Sequence, residues 1–385
     1  MYDYKAVEKE LKKCGVYPSG YWNPLYVNLQ NNDLTMQLSE RSIGKTTGWL
    51  LYGMEMYIKY GVIIHYIRED RRHLNRAYVK DLFSTIVHCG YVDSLTHGKY
   101  NHVVYDSMQR KWYFAKLSED GDVIEKDSKH FMIGLSCDMS DNLKSSYVCD
   151  KADFIIVDEF CSQSQRNYFS DLYNIISTLV RERETVKIIF LSNTIDRTHW
   201  IFDEFPLREI IDTLEEGQII KFTTELGMRF YVEFVYHEET RKRKEFVNRH
   251  IFGFKNNKLN AIKGGGWNMK LYPHLEHNAE FQTIMKNIAV QTTSGFLALD
   301  LIIINDVYYI YCHKRTQIYE DTVIYSTNML DLDNRKRFGF GTGTNFDRFI
   351  WDKLIKNNYV IYGHNQDGML LDSYIRKVKQ ERLSI

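Results

Sequence analysis

The chain has 385 residues, more than one hydrophobic core of ordinary size accommodates, so two domains are expected. Lysine plus arginine and aspartate plus glutamate number 50 each, which excludes a uniformly basic or uniformly acidic protein and confines any electropositive surface to a local patch. The six cysteines lack the spacing of a structural zinc site or a disulfide framework, and they favour a reducing, cytosolic compartment.

The sequence indicates neither a secretion signal nor a membrane span. The first residues, MYDYKAVEKELKKCG, are charged and typical of a helix, without the apolar core of a signal peptide. The longest apolar stretch, FLALDLIII at 296–304, is far shorter than the ~20 residues of a membrane helix and contains Asp300. A soluble intracellular protein with no membrane partner is therefore expected.

Residues 33–70 have the pattern of strand, tight loop, helix and strand. DLTMQL and VIIHYI are apolar, and between them TTGWLLYGMEMYIKYG has apolar residues at helical spacing. This βαβ unit predicts a parallel sheet. A second helix is predicted over RRHLNRAYVKDLFSTIVHCG, ending at Gly90, and HVVYDSMQRKWYFAKL is typical of a hairpin.

Two further buried strands are predicted at 152–160 and 185–194, separated by a helix with one apolar face. Continuous runs of isoleucine, valine and phenylalanine are typical of strands that are covered on both faces. The α/β pattern stops near residue 205 and is followed by a strand pair, QIIKFTT and MRFYVEFVY. The predicted fold class is therefore α/β, a parallel sheet with helices on both faces.

A domain boundary is predicted in 237–275, which contains a run of charged residues and the glycine cluster KGGGW. The prediction is an α/β domain over 1–236, a linker over 237–275 and a smaller α+β domain over 276–385. The smaller domain is predicted to begin with a helix over HNAEFQTIMKNIA and to continue with a hairpin turning at Asn305-Asp306. Two helices, NFDRFIWDKLIKNN and QDGMLLDSYIRKVKQ, are predicted to complete it.

The stretch LSERSIGKTTGW, residues 38–49, lies between the first predicted strand and the first predicted helix. In a P-loop, backbone N–H groups hold phosphates, lysine reaches the β and γ oxygens, and serine or threonine binds magnesium. Gly44, Lys45 and Thr46 fill the last three positions of that pattern, whereas Ser39 stands where its first glycine is expected. The alternative interpretation is an ordinary helix start.

The strand IIVDEF ends in two carboxylates, Asp158 and Glu159. This is the Walker B arrangement, in which the aspartate holds magnesium through water and the glutamate polarises the attacking water. A buried strand that merely ends in a polar turn is the alternative. The two motifs in this order leave room for an additional strand between them, which predicts a P-loop ATPase of the class with an inserted strand and a catalytic glutamate (ASCE).

The next strand ends in LSNT, which places Asn193 where a polar sensor of the γ-phosphate would lie, or where a simple strand cap would lie. Just before that strand, VRERE carries Arg181 and Arg183. In ring ATPases an arginine there can reach the neighbouring subunit's nucleotide and stabilise transition-state charge. The alternative is a solvated helix end.

These residues together resemble a family. SERSIGKT places Arg41 three residues before Gly44, as in viral genome-packaging ATPases, and the sequence is most similar to the small DNA-packaging ATPases of phi29-type tailed phages. Three further stretches resemble the same family: IIVDEF, the VRERE run before LSN, and NNYVIYGHNQDG.

The resemblance implies a homo-oligomeric ring, usually of five subunits, that uses ATP and Mg²⁺ to push double-stranded DNA into a procapsid. Its implied partners are the portal or connector of the procapsid and a packaging RNA, and its implied location is the host cytoplasm at the procapsid vertex. The implied catalytic residues are Glu159, Arg181, Arg41 and Lys144, and the implied magnesium ligands are Thr46 and Asp158. The implied nucleotide-binding residues are Ser39, Glu40, Arg41, Ser42, Ile43, Gly44, Lys45, Thr46, Thr47 and Asn193.

The family's C-terminal domains resemble RNase H-type nucleases, which are active in large terminases. Two-metal cleavage requires several converging carboxylates. Candidate carboxylates are Asp300, Asp331, Asp333, Asp347 and Asp367. Only Asp331-Leu332-Asp333 has a D-x-D spacing, and that stretch is typical of a turn, so a vestigial domain that binds DNA, the connector or RNA is favoured over an active terminase nuclease.

A translocating ring should contact DNA phosphates rather than bases. The favoured stretch is RRHLNRAYVK, with Arg71, Arg72, Arg76 and Lys80; QRKW at 109–112 and RKRK at 241–244 are the alternatives. Such runs are also typical of solvated helix faces. Another ASCE-class translocase or helicase is the remaining functional alternative.

Overall fold

The computed structural model describes residues 2–16, 21–39, 43–139, 153–161, 167–181, 183, 185–193, 199–205, 207–238, 242, 272–275, 280–292, 295–327, 336–337 and 343–383. The chain divides into two compact units. The first comprises Met1–Ile195 with Leu214–Trp267, and the second comprises Asp196–Thr213 with Asn268–Ile385. The second unit thus includes Asp196–Thr213, which the sequence prediction assigned to the first domain.

The described part of the first unit contains a sheet of ten strands. They are β1 (Leu34–Ser39), β2 (Ile64–Arg68), β3 (His102–Asp106), β4 (Lys111–Leu117), β5 (Val123–Lys126), β6 (Met132–Ser136), β7 (Phe154–Asp158), β8 (Lys187–Asn193), β9 (Ile219–Thr223) and β10 (Arg229–Val235). Six of them form a parallel array in the order β6-β2-β7-β8-β1-β10. Antiparallel strands complete both edges: β9 pairs with β10, β4 pairs with β6, and β3 and β5 pair with β4. The predicted parallel sheet and the predicted hairpin are confirmed.

The central strands β1 and β7 are buried along their whole length, and β2 and β8 are buried up to their last residue, as their continuous apolar runs require. The helices of this unit are α1 (Tyr4–Lys13), α2 (Lys45–Tyr60), α3 (Arg76–Val79), α4 (Ser84–His88), α5 (Tyr91–Leu95) and α6 (Phe169–Val180). In β7, Phe154 and Ile156 belong to the same core as Trp49 of α2. Ile155 and Val157 point to the other face and are buried too. Helices therefore cover both faces of the parallel array.

The single helix predicted over 71–90 is wrong. The chain forms a 3₁₀ turn at Arg71–Leu74 and then the short helices α3 and α4. The side chain of Asp70 accepts a hydrogen bond from the backbone N–H of Arg72, which favours a new helical start there. Asn75 is extended, with ψ of 147°, and this conformation interrupts the helical path.

The described part of the second unit contains a sheet of seven strands. They are β11 (Gln282–Met285), β12 (Ile288–Thr292), β13 (Gly295–Ile304), β14 (Val307–Arg315), β15 (Val323–Tyr325), β16 (Lys336–Arg337) and β17 (Val360–Tyr362). The order is β16-β15-β12-β13-β14-β17, with β11 paired to β13. The helices are α7 (Ile201–Glu204), α8 (Arg208–Thr213), α9 (Asn345–Arg348), which continues as a π-helix over Phe349–Ile355, and α10 (Asn365–Leu383).

The predicted hairpin in this unit is confirmed, and one predicted helix is wrong. β13 and β14 pair antiparallel across Asn305 and Asp306, which have φ of 48° and 62°, as a tight hairpin turn requires. The stretch HNAEFQTIMKNIA contains β11 and the start of β12 instead of a helix. Both strands pair with β13, so long-range pairing outweighs the helical spacing of the local sequence.

Candidate nucleotide-binding site

The loop between β1 and α2 has the predicted strand, loop and helix context. Gly44 is the N-cap of α2 and adopts a left-handed conformation with φ of 100°. A Cβ at this position would lie 3.3 Å from Cδ1 of Tyr21. Glycine is therefore required here both by the backbone and by the close ring. Glu40, Arg41 and Ser42 lie outside the described residues.

Lys45 is buried, and its ammonium group donates a hydrogen bond to the hydroxyl of Ser39. The serine that replaces the first glycine of the motif is therefore a direct partner of the P-loop lysine. The backbone N–H groups at the start of α2 have no helical partner, as at any helix N-terminus. A lysine beside such a terminus is suited to hold phosphate oxygens.

The predicted magnesium ligands lie together. The hydroxyl of Thr46 donates to Oδ1 of Asp158 over 3.2 Å. Asp158 ends β7, and its side chain is 8% exposed. Magnesium prefers hard oxygen ligands and keeps several waters in its shell. A threonine hydroxyl and a carboxylate facing each other at the head of α2 fit such an ion.

Glu159 follows Asp158 in a left-handed conformation with φ of 55°, which is unusual for glutamate. Its backbone N–H donates to Oδ1 of Asp158 over 3.1 Å, and its side chain is 54% exposed. Asp158 is thus fixed in the wall of the site, while the Glu159 carboxylate projects from it. The predicted roles of Asp158 as a magnesium-holding residue and of Glu159 as a water-polarising residue stay predictions.

Sequence reasoning missed Arg68, the last residue of β2. Its guanidinium contacts Oδ2 of Asp158 at 3.4 Å and donates to the Glu159 carboxylate. Tyr66 donates to the same Asp158 oxygen over 2.7 Å, and burial raises the pKa of its hydroxyl well above the usual range, so it stays a donor. β2 and β7 are neighbours in the sheet, although they are far apart in sequence. Only the strand order brings Arg68 to the carboxylates.

A cavity of about 390 Å³ lies at this edge of the sheet. Predicted residues that line it are Ile43, Gly44, Lys45, Thr46, Thr47, Asp158, Glu159 and Asn193. Residues that line it without having been predicted are Tyr21, Trp22, Gly48, Leu51, Thr85, Tyr91 and Ser192. The structure therefore brings the P-loop, the two carboxylates and Asn193 into one pocket of the size that small-molecule ligands occupy.

The predicted arginine finger lies elsewhere on this unit. Arg181 is exposed and directly follows α6, which leads from the β7 side of the site back to the beginning of β8. The pocket lies at the opposite, carboxyl-terminal edge of the same parallel strands. Arg181 is not among the residues that line the pocket. Lys144 lies outside the described residues.

The predicted DNA-binding stretch is at the carboxyl-terminal edge of the sheet, directly after β2. Two of its four cations are paired: Arg72 with Asp70 at 2.6 Å, and Arg71 with Asp138 at 3.9 Å. Arg76 and Lys80 are exposed and form no ion pair with the described residues.

The alternative stretch 109–112 lies close by. Tyr105 donates to the carbonyl oxygen of Leu74, and the carbonyl oxygen of Arg110 accepts from Gly134 over 2.7 Å. The structure thus places two of the three basic stretches beside each other. Of 241–244, only Lys242 is among the described residues, and it pairs with Glu238.

Three of the candidate nuclease carboxylates, Asp300, Asp347 and Asp367, are among the described residues, and each accepts hydrogen bonds from protein groups. Asp300 accepts from Arg315 at 2.8 Å and from His313 at 3.1 Å, and the Asp300 hydrogen bond raises the pKa of His313. Asp347 forms a capping box with Thr344, and Asp367 accepts from the backbone of His364.

Within the described ranges, no three His, Cys, Asp or Glu side chains form a group that could hold a metal ion. Asp331 and Asp333 lie outside those ranges, and the RNase H-like assignment stays a prediction. No helix in the same ranges is long and apolar enough to cross a membrane.

The strand order defines the class of the first unit. β8 separates the P-loop strand β1 from the Walker B strand β7, which is the arrangement of a P-loop ATPase fold with an inserted strand. No protein family model matches the sequence, and no curated protein matches it.

Two solved structures share the fold over nearly the whole chain. The bacteriophage Phi-29 viral genome packaging motor assembly is 17% identical, with 94% of this chain and 100% of that chain covered and a TM-score of 0.59. The Phi-28 gp11 DNA packaging motor is 16% identical, with 94% and 99% covered and a TM-score of 0.56. The chain therefore has the fold of phage DNA packaging motors.

Proposed function

We propose that this protein is an ATP-hydrolysing motor that translocates double-stranded phage DNA into a procapsid. The observation that carries the proposal is the meeting of Lys45, Thr46, Asp158 and Glu159 in one pocket of a fold shared with two packaging motors. Fold alone does not define function, so the proposal depends on the chemistry of this site.

In the proposed reaction, MgATP binds at the head of α2. Lys45 leaves the Ser39 hydroxyl and pairs with the β and γ phosphates, and Thr46 and Asp158 are the residues that would hold Mg²⁺. The metal neutralises charge on the phosphates when it is bound. Asn193 lies at the same edge of the pocket and is positioned to contact the γ-phosphate.

Glu159 supplies the polar group that orients the attacking water. Its carboxylate is held by Arg68 in this structure, so Arg68 must release it before the glutamate can accept a hydrogen bond from water. Tyr66 keeps its hydrogen bond to Asp158 throughout, because its buried hydroxyl remains protonated. Hydrolysis thus requires Glu159 to exchange Arg68 for water.

The proposed active form is a homo-oligomeric ring, a pentamer by analogy with the family. Arg181 is exposed and does not line the pocket of its own chain, which supports a role at the nucleotide of an adjacent subunit. An arginine supplied by a neighbour would stabilise the charge that develops on the transferring phosphoryl group.

DNA contact is proposed at the exposed cations that follow β2, Arg76 and Lys80, with Arg71 and Arg72 exchanging acidic partners for phosphates. The second unit is proposed to dock on the procapsid connector, on DNA or on a packaging RNA without cutting nucleic acid. The hydrogen-bond partners of Asp300 support this, because Arg315 and His313 occupy the space beside the carboxylate that a metal ion would need.

Two variants test the site directly. Glu159→Gln removes the carboxylate but keeps the shape of the side chain, so it should bind ATP with unchanged affinity and fail to hydrolyse it. Lys45→Ala should also fail to hydrolyse ATP, and unlike Glu159→Gln it should bind ATP weakly. Isothermal titration in Mg²⁺ and phosphate release assays would measure the two effects. Undiminished hydrolysis by both variants would exclude this pocket as the ATPase site.

A further inference from the structure

A buried hydrogen-bond network connects the strand that enters the P-loop with the helix that leaves it. Gln37 of β1 is fully buried and lies two residues before Ser39. Trp49, one turn after Lys45 on α2, donates its indole N–H to Oε1 of Gln37 over 2.7 Å. Gln37 in turn donates from Nε2 to Oε2 of Glu233 on β10 over 2.6 Å. Both ends of the P-loop are thus connected, through Gln37, to one carboxylate.

The parallel register of β1 and β10 fixes the position of Glu233 relative to the P-loop lysine. Gln37 pairs with Glu233, and Ser39 pairs with Val235. Alternate residues of a strand point to the same face, and Gln37 and Ser39 both form hydrogen bonds with side chains of α2. Two residues of a strand rise about 7 Å. The carboxylate of Glu233 therefore lies one row of side chains below the hydrogen bond between Ser39 and Lys45.

The charge of Glu233 is not neutralised by an ion pair with any of the described residues. Glu233 is 8% exposed, and its carboxylate accepts hydrogen bonds from two neutral groups, the amide of Gln37 and, over 3.1 Å, the hydroxyl of Tyr231. Burial raises the pKa of Glu233, whereas these hydrogen bonds and the charge of Lys45 act in the opposite direction. The P-loop lysine is therefore a cation whose charge acts on this buried carboxylate.

The elements around Glu233 contribute few other charged groups. Burial raises the pKa of the Tyr231 hydroxyl, so it remains a hydrogen-bond donor. On β9 the register partner of Glu233 is Ile219, and Lys221 lies over the ring of Tyr231 at 5.4 Å. β1 and α2 contribute the uncharged groups of the network and the ammonium group of Lys45. Glu233 is therefore the acidic group of this network, and Lys45 is the basic group.

We propose that Glu233 is the countercharge of the P-loop lysine before nucleotide binds, and that it takes up a proton from solvent when the phosphates arrive. The inference rests on the proposed function, since it takes the phosphates to lie on Lys45. The phosphates then balance the ammonium charge and bring further negative charge, which disfavours a buried anion behind the lysine. Ionised Glu233 thus weakens nucleotide binding and favours product release. It acts through Lys45 and is a positioning residue.

Glu233→Gln removes the charge and keeps the shape, because the amide oxygen can accept both hydrogen bonds. Titrations with MgATP would use full-length protein that carries Glu159→Gln to prevent turnover. At pH 8, Glu233→Gln is expected to strengthen MgATP binding by about tenfold, because a like charge near the phosphates is lost. With Glu233 present, the affinity should rise as the pH falls from 8 to 5, because protonation neutralises the carboxylate. Glu233→Gln should lose this part of the pH dependence.

A second variant and a control test the same carboxylate. Tyr231→Phe removes a hydrogen bond that stabilises the ionised form, so the pH dependence should move to higher pH. Glu225→Gln, at an exposed position in the turn between β9 and β10, should change neither the affinity nor its pH dependence. Repeating the titrations in buffers of different ionisation enthalpy measures the protons that are taken up. Uptake is expected with Glu233 present and should be smaller in Glu233→Gln.

Two results would overturn this role of Glu233. One is unchanged or weaker MgATP binding by Glu233→Gln at pH 8, which is the result that a purely structural role predicts. The other is an unaltered pH dependence in Glu233→Gln. Lys45→Ala separates these results from failure of the proposed function, because it should weaken MgATP binding whether or not Glu233 acts as a countercharge. If the protein with Lys45 and Glu233 intact binds no MgATP, the proposed function and this inference are both wrong.

Discussion

The guanidinium of Arg68 donates to the carboxylate of Glu159, which lies 91 positions later in the chain. The same guanidinium contacts Asp158, so one cation from β2 holds both carboxylates of the Walker B strand. Charge-assisted bonds of this kind are among the stronger ones in proteins. The water-orienting carboxylate is thus engaged before any water is bound.

Arg68→Gln is expected to raise ATP hydrolysis in the absence of DNA, because Glu159 no longer has to exchange a cation for water. An increase of up to about tenfold corresponds to 1.4 kcal/mol of released interaction. Phosphate release measured without DNA checks it, with the exposed residue Lys13 changed to Gln as the control. A fall in hydrolysis, with an unchanged melting temperature, would mean that Arg68 assists catalysis instead.

Gly44→Ala and Gly61→Ala separate backbone strain from obstruction of the pocket. Both glycines flank α2 with positive φ, of 100° and 66°. Each alanine variant should lose roughly 1–2 kcal/mol of unfolding free energy, the cost of a left-handed conformation. Only a Cβ at Gly44 meets a neighbour, Tyr21 at 3.3 Å, so only Gly44→Ala should lose ATP binding. Equal ATP affinities in the two variants would contradict this account of the loop.

Arg181→Ala is expected to stop hydrolysis only in assembled rings, because Arg181 lies away from its own pocket. Mixing Arg181→Ala with Glu159→Gln subunits tests this sharing. A ring with both types contains some interfaces with an intact Glu159 and an intact neighbouring Arg181, so the mixture should recover part of the activity that neither variant shows alone. Zero recovery, with confirmed mixed assembly, would count against action between subunits.

Glu55 is a buried acid in α2, and one of its carboxylate oxygens has no hydrogen-bond partner among the described residues. Burial raises its pKa to about 7, above the ordinary value of about 4.3. A raised folded-state pKa means that stability is full below pH 4 and declines as the pH rises to about 7.

Glu55→Gln should therefore unfold like the unsubstituted protein at pH 4 and be more stable at pH 8, by up to about 3 kcal/mol. Urea unfolding across this pH range measures the difference. Glu119→Gln, at an exposed position, is the matched control. Parallel stability curves for Glu55→Gln and the unsubstituted protein would show that the buried carboxyl does not titrate in this window.

The residues of the candidate site that the sequence predicted belong to short local motifs. The P-loop and the Walker B carboxylates each occupy a few consecutive residues at the end of an apolar strand, so the residue types and their context were sufficient. Asn193 followed from the same logic. Residues 43–47 of the P-loop, the two carboxylates and Asn193 line the cavity, whereas Ser39 does not.

Arg68, Tyr21 and Tyr91 were not predicted, for a common reason. Arg68 reaches the carboxylates only because β2 lies beside β7, and pairing order cannot be read from the residues of either strand. Tyr21 precedes α2 in the chain and Tyr91 follows it, and only the tertiary fold brings both of them to the pocket. The misassigned helix over β11 and β12 has the same origin, since pairing with β13 decides its conformation.

The most direct test of the proposed motor is the rate of ATP hydrolysis in Mg²⁺ with and without double-stranded DNA, measured on the unsubstituted protein and on Lys45→Ala. We predict that double-stranded DNA of any sequence increases the rate of hydrolysis and that high salt removes this increase. Lys45→Ala should abolish hydrolysis with and without DNA. Hydrolysis that is absent in assembled protein, or that DNA leaves unchanged, would contradict it.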